Sequence, residues 1–349
     1  MAKEKAPTHN PLELKKMLKA GEYARVYVFF GEESFLRNHY VSQLKKQMVD
    51  ELTESFNYHK LTQENFDIRS FSDCVESLPV MAEHTLVWID DIDVFKLSED
   101  EREKVAQILL DIPEYCTVLF TYETVTWHPD GRFKKLYQAM VDNGYVVEFP
   151  KQNENDLIPW IIRHFAAGGK TIAPNLCKYL MELSGGTMTA LAGEIKKICA
   201  FSGADTIVKS DIDAVVEPSL DVLMYEISKS LSNGNYYGAL TQLQMVLKRQ
   251  EKPVAILGVI GSHFRELSAA RVVLDSGEGY GKLAKLFPKR QDFVIKRLLN
   301  SAKNFSPRFY KAASKLILEA DLHLKTSYDE PERILEMLIM ELAQEARNG

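Results

Sequence analysis

The residues with the most chemical promise lie in two short stretches near the amino terminus. An apolar run, Val26-Tyr27-Val28-Phe29-Phe30, meets Gly31-Glu32-Glu33-Ser34-Phe35-Leu36. A strand passing through a glycine into a helix is where a P-loop nucleotidase cradles phosphate. That cradle requires G-x-x-x-x-G-K-S/T: glycines so that backbone amides can wrap the phosphates, a lysine for the β and γ phosphates, and a hydroxyl for magnesium. Counted from Gly31, the last three positions hold Leu36, Arg37 and Asn38. Glu32 and Glu33 fall in the first helical turn, where carboxylates satisfy the helix dipole themselves and repel a triphosphate. The pattern predicts no ATP binding and no cofactor. Asp90-Asp91-Ile92-Asp93 ends a second apolar run in the position of a Walker B acid. With no phosphate loop opposite, these acids read as a solvent-facing strand end; the alternative is an NTPase that uses an unusual phosphate loop with Asp90 and Asp91. None of the eight histidines stands in an H-E-x-x-H or H-x-E pattern, and no G-x-S-x-G elbow is present. No catalytic residue, no metal ligand and no intrinsic enzymatic activity are therefore expected.

The elements that position these stretches follow from hydrophobic pattern. Strands are expected at Val26–Phe30, Thr85–Asp90, Thr117–Thr121 and Tyr145–Phe149, and helices at Phe35–Leu52, Lys104–Leu110 and Phe133–Asp142. Strands apolar on both faces and separated by helices call for a mostly parallel, helix-covered sheet, an α/β domain over residues 1–150. After Pro150 the segments have helical period or caps. Asn155–Ala166, Pro174–Ser184, Met188–Phe201 and a short helix Ser210–Val215, capped by Ser210, make a small helical domain over 151–218. Pro218 marks the next boundary. Six helices, from Leu223–Leu231 to Glu332–Glu345, make a larger all-α domain over 219–349.

Length and composition agree with several folded domains. The 349 residues are 46% apolar and 26% charged, the balance of a globular chain. No apolar run approaches the roughly 20 residues needed to cross a bilayer. The charged amino terminus has no apolar stretch after it, so a cytoplasmic location is expected. Cys74, Cys116, Cys177 and Cys199 form no C-x-x-C pair and read as core or near-core residues. The net charge of −6 divides unevenly, with −10 on residues 1–218 and +4 on residues 219–349. Lys282–Lys315 holds ten basic residues against Asp292 alone. Such a segment is either a solvated helix surface or a face turned toward a polyanion.

Taken in chain order, several stretches resemble the delta subunit of the bacterial DNA polymerase III clamp loader. They are Val26–Leu36; Ser77-Leu78-Pro79-Val80-Met81-Ala82-Glu83-His84 before the second strand; Ser184-Gly185-Gly186-Thr187-Met188 leading to Glu194-Ile195-Lys196-Lys197; Gly234–Leu240; Lys252–Leu257; and Phe264-Arg265-Glu266-Leu267. The resemblance implies an AAA+-like module of two domains, with a degenerate P-loop, followed by a helical collar through which subunits assemble into a hetero-pentamer. It implies a non-catalytic component of a DNA-directed DNA polymerase, a nucleotidyltransferase only at the level of the complex. Its task would be to bind and open the ring-shaped sliding clamp for loading onto primed DNA during replication. The family's clamp-contacting element is an apolar pair at the tip of the first domain, a position that falls on Leu78, Pro79, Val80 and Met81. Leu78 and Met81 have a competing reading as core residues that close a helix onto the sheet. Lys196 and Lys197 read as surface residues, and Leu243, Val246 and Leu247 as collar core with a share in the interface. Within the assembly, Lys289, Arg290, Lys296, Arg297, Lys325 and Tyr328 are the residues expected to meet primer-template DNA, the cations on phosphate and the tyrosine stacking on a base. A nucleic-acid-binding scaffold without clamp activity is a third reading, disfavoured by the acidic first half.

Overall fold

The structure, a computed structural model, describes residues 8–249 and 252–348. The amino-terminal residues on which the expected location partly rested lie outside that range. The chain divides into two compact units, with the boundary between Gln152 and Asn153.

The first unit is built on five strands, β1 (Val26–Phe30), β2 (Tyr58–Leu61), β3 (Thr85–Asp90), β4 (Cys116–Thr121) and β5 (Tyr145–Glu148). They pair in parallel in the order β2-β3-β4-β1-β5. Successive side chains of a strand point to opposite faces, and here both faces are dry. Val26 and Val28 join a core with Phe71, Val87, Ile89 and Phe120, whereas Tyr27 and Phe29 join one with Leu14, Leu44, Leu86 and Leu119. Helices α1 (Pro11–Lys19) and α2 (Ser34–Met48) supply the second core, and a short α3 (Glu54–Asn57) leads into β2. Helices α4 (Ile68–Glu76) and α5 (Glu99–Leu110) supply the first, followed by a single turn, α6 (Lys134–Tyr137).

Five strands replace the four expected. Strand β2, Tyr58-His59-Lys60-Leu61, lies at the sheet edge with only Leu61 buried, so it carries no apolar run. Its pairing with β3, Tyr58 opposite Leu86 and Leu61 opposite Ile89, creates it. Helix α2 stops at Met48, short of Leu52, because Val49 turns extended and the Leu52 N–H donates to Asp50 Oδ1 at 2.8 Å, an Asx turn that ends the helical pattern. Helix α5 begins at Glu99, earlier than expected, on a capping box between Ser98 and Glu101. The Phe133–Asp142 helix is one α turn followed by a π-helical turn over Gln138–Asp142.

The second unit is all helical. Helices α7 (Glu154–Ala167), α8 (Pro174–Ser184), α9 (Met188–Phe201) and α10 (Lys209–Val215) come first. Ser210 lies inside α10 and does not cap it; the Asp211 carboxylate closes that end by accepting the Val208 N–H at 3.0 Å. Then follow α11 (Leu220–Ser232), α12 (Tyr236–Leu247), α13 (Pro253–Asp275), α14 (Tyr280–Leu286), α15 (Asp292–Ala302), α16 (Pro307–Thr326) and α17 (Pro331–Asn348). Their shared core includes Leu223, Leu243, Val246, Ile260, Phe264, Leu298 and Phe309, with Leu247 packed against it. The two helical groups meet tightly. Gly186 has φ +72°, and a Cβ there would stand 2.8 Å from the Phe293 ring, so only glycine fits both the turn and the contact. The Gly186 carbonyl accepts from Gln291 Nε2 at 3.2 Å, and the Leu183 carbonyl from the Ser219 N–H at 2.8 Å.

Candidate functional site

The carboxyl edge of a parallel sheet is the usual place for a ligand, and here that edge is closed by the protein itself. Glu33 caps α2, its carboxylate accepting from the Phe35 N–H at 3.3 Å. The Glu33 N–H, an amide of the kind that would face a phosphate, donates to the Phe149 carbonyl at 3.0 Å. Gly31 has φ +124°, and a Cβ on it would meet that same carbonyl at 2.3 Å, so the loop lies hard against the chain leaving β5. Arg37, at the Walker lysine position, is only 2% exposed. It turns back across the loop, Nη1 donating to the Gly31 carbonyl at 2.9 Å and Nη2 standing 3.1 Å from Glu123 Oε2. The cation that would greet a phosphate is engaged by its own loop. Burial raises the Glu33 carboxyl above its ordinary value, against the opposing pull of the Phe35 N–H and Arg37.

The acids after β3 are occupied too. Asp90 accepts from Thr121 Oγ1 at 2.8 Å and pairs with Lys60 at 2.7 Å. Asp91, in the left-handed region at φ 59°, accepts the backbone N–H groups of Glu123, Thr124 and Val125 and the Thr124 hydroxyl. Burial alone would raise the Asp91 carboxyl, but these hydrogen bonds outweigh it and hold it below the ordinary carboxylate value. Asp93 caps the turn after β3 through the Phe95 N–H and pairs with Lys96. Asp90 and Asp91 therefore tie strand ends together, where the sequence had left them facing solvent. Among the described residues no group of three or more His, Cys, Asp or Glu stands close enough to hold a metal ion.

The opposite, amino edge of the sheet carries the second site. Helix α4 ends at Glu76, and residues 77–84 form a loop before β3. On it Leu78 is 71% exposed, Met81 92% exposed and Val80 partly exposed, with Pro79 half-buried. Leu78 and Met81 are thus outside the core. An apolar group left in water forgoes about 1.5–3 kcal/mol that burial would return, so two on one loop form a surface with much to gain from a partner. Met81 adopts φ 52°, which costs a non-glycine residue about 1 kcal/mol. The conformation is held from beneath. Asn57, the last residue of α3, is completely buried. Its Nδ2 donates to the Val80 carbonyl at 2.9 Å, and its Oδ1 accepts the Val80 N–H at 2.8 Å. The segment before Asn57 adds Leu52, 91% exposed, and the exposed Phe56. Sequence reasoning missed Asn57, Leu52 and Phe56, because the edge strand that Asn57 precedes carries no apolar run to announce it.

The basic residues of the second unit fall into two places. Lys289 and Lys296 are exposed, before and on α15. Arg290 is drawn inward, donating to Glu266 Oε1 at 2.8 Å and to Asp221 Oδ2 at 2.7 Å, so its charge is matched within the fold. The Arg297 guanidinium lies 4.4 Å over the Tyr225 ring. Lys325 and the fully exposed Tyr328 sit at the far end of α16, with Lys325 paired to Asp321 at 2.7 Å. Of the pair on α9, Lys197 bridges to Glu194 at 2.7 Å.

Two family models match the chain: "DNA polymerase III, delta subunit" over residues 27–148, and "DNA polymerase III delta subunit, C-terminal domain" over residues 223–342. The DNA polymerase III subunit delta of Bacillus subtilis (strain 168) is 25% identical over 337 residues, covering 94% of this chain and 95% of its own. A probable DNA polymerase III subunit delta of Aquifex aeolicus is 19% identical over 278 residues, covering 77% of each chain. The solved structure of the Bacillus subtilis DNA clamp loader delta protein (YqeN) shares the fold, with a TM-score of 0.72 at 22% identity over 96% of this chain and 99% of that one. Both family models name one subunit and together take in both units of the structure, and the full-length relative spans the segment between them. The chain belongs to the DNA polymerase III delta subunit family.

Proposed function

We propose that this protein binds the sliding clamp and opens it, as a non-catalytic subunit of the DNA polymerase III clamp loader. The observation that carries the reading is the apolar loop Leu78-Pro79-Val80-Met81, left in solvent and bracketed from below by a buried amide. The mechanism is binding energy. Leu78 and Met81 enter an apolar groove of the clamp, methionine adapting its shape to that groove, and the ring yields where the bound form is the opened one. Nucleotide chemistry is left to neighbouring subunits. The loop that would hold a triphosphate is occupied by Arg37, Glu33 and Phe149, which supports this reading over an NTPase using Asp90 and Asp91.

In this proposal the chain has an AAA+-like domain over 1–150, a small helical lid over 151–218 and a collar over 219–349. The collar leaves apolar side chains exposed on two sets of helices: Val254 and Leu318 on α13 and α16, and Tyr237, Met337 and Met340 on α12 and α17. Two such surfaces suit a subunit with a neighbour on each side in a hetero-pentamer. Lys289, Lys296, Arg297, Lys325 and Tyr328 are the candidate contacts to primer-template DNA within the assembly, with Arg290 supporting the fold beneath them. No helix among the described residues is long and apolar enough to cross a membrane, and replication places the work in the cytoplasm.

The test is a titration of the cognate clamp with full-length protein in the absence of nucleotide. One-to-one binding is expected, and Leu78→Ala combined with Met81→Ala weakens it at least about 100-fold, since two hot-spot side chains each contribute about 2 kcal/mol. Both residues are exposed, so the melting transition stays in place. Unchanged affinity in that variant would remove the loop from the clamp interface.

A further inference from the structure

The loop is held by an unusual device. Asn57 has no exposed surface, yet its polar atoms are committed to a segment that stands in water. A buried amide is costly to desolvate unless its donor and acceptor are both matched. Here one side chain matches both, bracketing the Val80 peptide in the way a neighbouring strand would. Its own backbone is anchored, the Asn57 N–H donating to the Thr53 carbonyl at 3.1 Å. Helix α3 is in turn tied to the scaffold, with Glu54 paired to Lys45 of α2 at 2.6 Å and Lys45 4.2 Å over the Tyr58 ring. Tyr58 begins β2 and pairs with Leu86 of β3. A continuous strut therefore runs from sheet to α3 to Val80, the residue between the two exposed anchors.

This strut does two things. It fixes the backbone on either side of Val80, so that Met81 keeps its left-handed conformation before any partner arrives. Through the Asn57–Val80 pairing it also joins the loop to α3, which carries the exposed Phe56, and Leu52 is exposed in the segment that leads into α3. Ordering a free loop on binding subtracts from affinity, and a loop ordered in advance avoids that cost.

Resting on the clamp-binding reading, we infer that Asn57 is the positioning residue of the docking loop, and that Leu52 and Phe56 form the second half of the surface the sliding clamp covers. The partner's groove then extends past the pocket for Leu78 and Met81 to a second apolar contact over α3.

The experiment is a double-mutant cycle on the full-length protein, read as dissociation constants for the cognate clamp at matched folded fraction. Asn57→Ala weakens binding about tenfold, and on a Leu78→Ala, Met81→Ala background the same change costs less than about twofold, because the anchors it positions are already gone. An equal cost on both backgrounds overturns the inference, since a residue that merely stabilises the domain acts alike in each. Asn57→Asp keeps the acceptor for the Val80 N–H and loses the donor to its carbonyl. It gives an intermediate loss, and it carries the same comparison if Asn57→Ala does not fold. Phe56→Ala weakens binding about fivefold with an unchanged melting temperature; unchanged affinity removes α3 from the surface. If Met81→Ala alone leaves the affinity unchanged, it is the docking-loop reading that fails; if Met81→Ala weakens binding and Asn57→Ala does not, only the role of Asn57 falls.

Discussion

The loop after β1 and the loop before β3 leave one parallel sheet at opposite edges and are held by opposite means. At the carboxyl edge the protein closes its loop with charge: Arg37 is buried against Gly31 and Glu123, and Asp91 gathers the amides of residues 123–125. At the amino edge a neutral amide, Asn57, holds Val80 and leaves Leu78 and Met81 in water. The first arrangement engages its cation and its acid within the fold and leaves a ligand little to bind. The second satisfies the backbone and leaves the side chains unsatisfied. A parallel sheet can thus fill the loop at its carboxyl edge from within, and in the function proposed above recognition lies at the other edge, on unpaired apolar surface.

This contrast can be broken or sharpened by experiment. The largest effect is expected for Arg37→Ala. Removing the buried guanidinium leaves the Gly31 carbonyl without its donor and opens a cavity, lowering stability by about 3 kcal/mol in urea denaturation, whereas Glu123 is exposed enough to be solvated by water. Clamp affinity at matched folded fraction stays the same, because Arg37 engages Gly31 and Glu123 at the carboxyl edge while the docking loop is held by Asn57 at the amino edge. The intact protein shows no saturable binding in equilibrium dialysis with labelled ATP at micromolar concentration. Binding there would mean that the cradle is not closed and would restore the NTPase alternative.

A smaller effect separates the edges by pH. The Asp91 carboxyl is held below its ordinary value of 3.8 in the fold, so the stability it adds is fully present above that value. That contribution is lost as pH falls below 3.8 through the depressed folded-state value. Hydrogen exchange should therefore show residues 123–125 loosening in acid before the Val80 amide does, since the Asn57 bracket contains no titrating group. Asp91→Asn removes the charge-assisted part of the anchor, costs about 1.5 kcal/mol at neutral pH and flattens the acid dependence. Simultaneous loosening of both segments would deny the distinction between charged and neutral support.

The smallest effect lies away from both edges. Lys289→Ala with Lys296→Ala should weaken primer-template binding by the assembled loader only a few-fold. The slope of log K against log salt should fall by about 0.9 for each phosphate that one of these lysines neutralises. Clamp binding should not move. An unchanged salt slope would mean that these exposed lysines are a solvated face, the plainer of the two readings the sequence allows.

The parts legible in sequence are those where local pattern and burial coincide. Val26–Phe30 and Thr85–Asp90 are apolar on both faces because both faces are covered, and each strand lies where its pattern puts it. Pro174–Ser184 begins at a proline and ends at the left-handed Gly185, and Met188–Phe201 begins at a threonine cap and ends where Ser202 turns extended. Edge strand β2 was not legible, because a half-exposed strand of four residues owes its existence to its neighbour. The failure of the Walker pattern was visible in Leu36, Arg37 and Asn38, but what replaced it was not.

By itself the sequence determined the plan of an α/β unit followed by helices, the loss of the phosphate-binding residues and the apolar character of Leu78–Met81, because each depends on residue type and short-range spacing. Only the tertiary structure decided that Arg37 turns inward, that Asp91 anchors a neighbouring loop, and that Asn57 reaches Val80, 23 residues away. The reason is that a side chain's use depends on which backbone groups lie within about 3 Å of it. That distance is set by how the strands pair, and no local pattern records it.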